Sequence, residues 1–141
     1  EEVSFTETTG AGVYTGSVSV PAGATLLDII VHAVAVWNTA TSATMKVGDA
    51  VTDNGYFTGI DLKATDLLLG ESLSFSHPAG KQGADLDTPA ATAHVRRRYL
   101  ATDRVISGIV TTVGASGTLG RTRMTVVYSL PTSATAATKV V

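Results

Sequence analysis

Thr25-Leu26-Leu27-Asp28-Ile29-Ile30-Val31-His32-Ala33-Val34-Ala35-Val36-Trp37 is the stretch that decides how this chain is read. It alternates like a strand, yet both of its faces are apolar. Leu27, Ile29, Val31, Ala33, Ala35 and Trp37 form one set. Leu26, Ile30, Val34 and Val36 form the other, interrupted only by Asp28 and His32. A strand with one wet face alternates apolar with polar, so this one needs cover on both sides. Leu27, Ile29, Val31 and Trp37 are the expected core. The Ile30, Val34 and Val36 face, marked by Asp28 and His32, is expected under a second sheet, a neighbouring subunit or another protein.

Outward from that stretch the chain reads as short strands broken by turns. Val13–Val20 forms a first strand, stopped by Pro21-Ala22-Gly23. Strands follow at Ala43–Gly48, Tyr56–Leu62, Ser72–Ser76, His94–Ala101, Arg104–Val113 and Thr122–Leu130, the last with Met124, Val126, Tyr128 and Leu130 inward. Ala64–Leu69 reads as a single helical turn capped by Thr65 or Asp66. About eight strands at this spacing predict an all-β fold, a two-sheet β-sandwich. Residues 1–12 read as an N-terminal arm, 13–131 as one sandwich domain and 132–141 as a C-terminal tail.

At 141 residues the chain is long enough for one real core. It has no cysteine, so neither disulfides nor thiolate metal sites arise. Only 16% of residues are charged, which leaves a surface poorly protected against association and suggests an oligomer. A net charge of −2 speaks against a globally basic nucleic-acid binder. No run of about 18 apolar residues suggests a membrane span.

No catalytic set emerges. There is no nucleophile elbow, and Asp28 and His32 stand about 13 Å apart along a strand, too far to hydrogen-bond. His32, His77 and His94 share no metal-ligand spacing. Asp49, Asp53, Asn54 and Asp61, or Asp85 with Asp87, could offer oxygens to calcium, but acidic turns are common without ions. No cofactor, metal or enzymatic activity is expected. The informative feature is charge segregation: residues 1–93 hold eleven acids against three lysines, while residues 94–123 hold six arginines against Asp103 alone. Arginine suits planar, bidentate contact with carboxylates. Arg96, Arg97, Arg98, Arg104, Arg121 and Arg123, with Asp28, His32 and Trp37, are therefore candidate contacts to a sister subunit or an acidic partner. Pairing of the arginines with acidic strands inside one sheet is an equally open reading, and for Trp37 a core anchor is favoured over an interface one.

The run from Thr15 to Asp28, continuing through His32 and Trp37 to Ser42–Asp49, resembles small virion proteins of tailed bacteriophages assigned to the head. Gly55–Gly59, Lys63–Leu68, Arg104–Gly108, Gly114–Met124 and Tyr128–Pro131 fit the same likeness, which spans nearly the whole chain. Its motifs are structural. The resemblance implies a capsid decoration (cement) protein: a jelly-roll-like β-sandwich on the capsid surface, bound to the major capsid protein as a homo-oligomer, most often a trimer. Residues 1–12 and 132–141 would then suit strand exchange with a neighbour. Alternatives are a virion adhesion module that binds glycans, which the low aromatic content disfavours, and a tail or head–tail connector subunit.

Overall fold

The computed structural model describes residues 1–10, 12–86, 98–115 and 117–130. Its eight strands are β1 (Glu2–Thr6), β2 (Val13–Val20), β3 (Thr25–Ala35), β4 (Ser42–Gly48), β5 (Phe57–Asp61), β6 (Ser72–Leu73), β7 (Arg104–Val113) and β8 (Arg121–Ser129). They form two four-stranded sheets, ordered β1-β8-β3-β6 and β2-β7-β4-β5, and every pairing is antiparallel. Within them β1 pairs with β8, β2 with β7, β3 with β6 and β4 with β5, which is a ribbon rolled on itself. That is the jelly-roll arrangement of an eight-stranded sandwich. No helix among the described residues is long and apolar enough to cross a membrane.

The inner faces meet in one core. Leu26, Ile29, Val31, Met124 and Val126 come from the first sheet, and Val18, Val20, Met45, Val47, Ile106 and Val110 from the second. Burying side chains of this size stabilises by about 1.5–3 kcal/mol each, which makes the shared core the main force holding the sheets together.

Several expectations need correction. Leu27 is 52% exposed, and Leu26 takes its place in the core. The register of β3 against β8 shifts between Leu26 and Asp28, so Leu27 is the extra residue of a bulge and parity flips there. Val34 follows the alternation of Ile30 and His32 onto the outer face, as expected, and is the extra residue where the register shifts again between Ala33 and Ala35. Leu130, expected inward, lies exposed just past the end of β8. Ala64–Leu69 is a turn with no helix, Ala64 standing at φ 68°. Of His94–Ala101, the described part makes only a bridge from Tyr99 to Thr25.

The stretch read as an arm contributes β1. Its odd positions carry it inward: Val3 packs on the core and Phe5 lies within it. Gly16 and Gly108 sit opposite each other in the β2–β7 pair, and together they leave a notch in the second sheet. Phe5 fills it. A Cβ on Gly108 would come within 2.7 Å of Phe5 Cζ, and one on Gly16 within 2.6 Å of Val3 Cγ2. Gly16→Val should therefore wedge β1 away and destabilise the fold by about 1–3 kcal/mol in urea unfolding, the usual cost of overpacking.

Candidate functional site

The second sheet packs on only one face of β3, the face of Leu26, Ile29, Val31 and Ala33. Among the described residues, no strand packs over the opposite face, where Ile30 and His32 are part-exposed and Val34 is exposed. Strand pairing assembles a row of side chains across the first sheet. Ser4 of β1 lies opposite Arg123 of β8, Arg123 opposite His32 of β3, and His32 opposite Ser72 of β6. One step along the sheet, Thr6 and Arg121 pair, and on the other side Glu2, Thr125 and Ile30 form a parallel row. A shallow depression of about 280 Å³ opens here between Ser4, Thr6, Val34, Arg121 and Arg123.

The positive charge on this face is weakly committed. Arg123 Nε stands 3.8 Å from Glu2 Oε2, a loose contact between exposed groups that contributes little. Arg121 is exposed and makes no ion pair among the described residues. His32 Nδ1 is 2.8 Å from Ser72 Oγ, which sets the orientation of the ring. Two guanidinium groups two residues apart on one strand face, with hydroxyls beside them, suit a carboxylate-bearing surface. Toward the far end of the sheet, desolvation raises the Tyr128 phenol above its ordinary pKa of 10.0. The Glu1 carboxylate, which accepts its hydrogen bond at 3.1 Å, adds to the rise.

The other candidates are placed elsewhere. Trp37 is 2% exposed: it donates from Nε1 to Thr122 Oγ1 at 2.9 Å and meets Tyr14 edge-on. Arg104 is 5% exposed and donates to Tyr56 Oη at 2.9 Å and to the Arg98 carbonyl at 2.8 Å. Both are interior residues that organise the fold, so neither can meet a partner at the surface. Arg98 lies over the Phe75 ring at 5.0 Å. Asp28 Oδ1 accepts from the backbone N–H groups of Ile29 and Phe75, both at 2.8 Å, and so ties β3 to the segment after β6. Arg96 and Arg97 lie outside the described residues, as do His94 and Asp87. The structure therefore brings Arg121, Arg123 and His32 together on one face.

The acidic turns are occupied in shaping backbone. Asp49 Oδ1 accepts from Val51 and Thr52, Asp61 Oδ1 from Lys63, and Asp66 Oδ2 from Asp61, with Lys81 3.0 Å away. Asp53 pairs with Lys46. Among the described residues no three His, Asp or Glu side chains gather as a metal site.

Glu7 escaped the sequence reading. It is 3% exposed, and its Oε2 accepts from Asn38 N–H at 3.1 Å and Gly120 N–H at 2.9 Å. The signal was its parity, since Val3, Phe5 and Glu7 share the inward side of β1 and its extension.

No family model matches the chain, and no curated protein matches it in sequence. One solved structure resembles it, described as the acidic stable capsid structure of Helicobacter pylori bacteriophage KHP30. The two are 14% identical with a TM-score of 0.46 over 93% of this chain and all of the other. A likeness of that size establishes no function.

Proposed function

We propose that this chain is a structural protein of a tailed-bacteriophage head, a decoration protein that binds the major capsid protein and reinforces the shell. The observation that carries the reading is the outer face of the β1-β8-β3-β6 sheet, over which no strand packs among the described residues. There Arg121, Arg123 and His32 stand among Ile30, Val34 and Val127, a mixture of cation and apolar surface typical of a docking face. The resemblance of the Thr15–Asp49 stretch to small phage head proteins supports the same assignment. The chain acts mechanically: its rigid sandwich bridges neighbouring capsid subunits, and the arginines engage their carboxylates.

Binding of purified protein to stripped capsids tests this. The double variant Arg121→Glu/Arg123→Glu should keep its unfolding midpoint within a few degrees, because both side chains are surface groups. Its affinity for capsids should fall at least tenfold, and wild-type binding should weaken as salt screens the contact. Unchanged binding by the folded variant refutes the docking face. Equal heat resistance of decorated and stripped capsids refutes the reinforcing role.

A glycan-binding role finds no support in Trp37 or Tyr56, which are buried and cannot stack on a sugar.

A further inference from the structure

Three of the four sheet edges are blunted. Strand β6 has two residues, and the neighbouring edge of β3 is taken by the Arg98–Leu100 segment, whose Arg98 carbonyl accepts from Leu26 N–H at 2.8 Å. Strand β5 pairs with β4 through a register shift, carries Gly59 at φ 63°, and is met on its outer side by Lys81 and Gln82. Strand β1 is five residues long and begins at Glu2. These are the usual devices against edge-to-edge pairing: shortness, bulges, charge and cover.

Strand β2 has none of them. Its eight residues, Val13-Tyr14-Thr15-Gly16-Ser17-Val18-Ser19-Val20, hold no charge and no proline, and they pair with β7 in unbroken register. Thr112 N–H donates to the Gly12 carbonyl, so Gly12 and its even-numbered successors bond to β7. The N–H and C=O groups of Val13, Thr15, Ser17 and Ser19 therefore point to the open edge. Their side chains stand on the outer face, Val13 66% exposed. β1 packs over Gly16 in the other layer, and among the described residues no strand joins this edge.

We propose that the outer edge of β2 pairs antiparallel with β2 of a second copy across a two-fold axis, joining two four-stranded sheets into one of eight strands. The strand is complementary to itself in one full-length register. Val13 then faces Ser19 of the copy and Thr15 faces Ser17, so every outward main-chain group meets an outward group. Gly16 meets Gly16 on the axis. No like charges oppose, because the strand has none, and a charged foreign peptide would find no countercharge to select it. The Thr15–Ser17 hydroxyl pair is one that β-ladders favour. This inference does not rest on the head-protein reading.

Cysteine pairing gives a direct test, since the chain has no cysteine of its own. Thr15→Cys and Ser17→Cys proteins, mixed and mildly oxidised, should form a covalent heterodimer, because directly opposed bonded positions lie about 5.5 Å apart. Val13→Cys mixed with Ser17→Cys should cross-link at least tenfold less. In sedimentation of the full chain, Ser17→Pro removes an outward N–H without touching the β7 ladder, and should raise the dimer dissociation constant at least tenfold. Circular dichroism of that variant should show the sandwich intact; Ser17→Lys serves as the second variant if it does not. A chain that stays monomeric at 100-fold dilution steps up to about millimolar, where weak pairing would register, overturns the proposal. So does a dimer indifferent to both edge variants, or one lost when residues 131–141 are removed while the 15–17 cross-link fails to form.

Discussion

Trp37→Ala should unfold this protein about 3–5 kcal/mol more easily than the parent chain, the largest loss expected from any single side chain. Trp37 is among the largest fully buried side chains and stands where the end of β3 meets the start of β8. Truncation empties a cavity that its neighbours cannot collapse into, because Gly120 packs directly beneath the indole and Tyr14 meets its edge. It also strands Thr122 Oγ1, which now accepts from Nε1 in the interior. Trp37→Phe keeps most of the volume and should lose about half as much. The chain has a single tryptophan, so unfolding is best followed by circular dichroism in urea. A loss for the alanine variant below about 1 kcal/mol would mean that Trp37 is not the anchor its burial indicates.

Glu7→Ala should cost about 2–4 kcal/mol, the second largest effect. Its carboxylate is the acceptor for two backbone donors from separate loops, Asn38 N–H and Gly120 N–H, while its own N–H donates to the Gly120 carbonyl at 2.8 Å. Hydrogen bonds to a charged group are worth about 1.5–3 kcal/mol, and removing this one leaves two sheltered donors without a partner. Glu7→Gln retains an acceptor of the same shape and should cost about 1 kcal/mol. Hydrogen exchange gives the site-specific check: the Asn38 and Gly120 amides should lose protection in the alanine variant and largely keep it in the glutamine variant. Equal losses in both would show that charge, not geometry, holds the three segments together.

The architecture was legible where side-chain alternation is regular. Val13–Val20 and the Arg104–Val113 stretch are strands with the predicted bounds, because nothing interrupts their period. The doubly apolar Thr25–Trp37 stretch did mark a strand, and the second sheet covers one of its two faces; among the described residues no strand covers the other. Leu27 was misplaced because a one-residue bulge reverses parity, and no local residue type announces it. Strand β1 was read as an arm because its inward signal rests on Val3 and Phe5 alone. Its partner is the glycine notch made by Gly16 and Gly108, residues distant in sequence that only the folded ladder brings together. The arginine cluster divided for a similar reason. Six arginines close in sequence suggest one patch, yet the fold turns Arg104 inward to Tyr56 and leaves Arg121 and Arg123 on the open face beside His32. Arginine's readiness to satisfy a buried carbonyl as well as a surface carboxylate makes the two fates indistinguishable from composition.

The most direct measurement is a map of the virion fine enough to place this sandwich and orient its two sheets. The chain should lie on the outside of the head, with the Arg121, Arg123 and His32 face of the β1-β8-β3-β6 sheet against a capsid subunit. A chain absent from the head, or one turning that face to solvent, would contradict the proposed function.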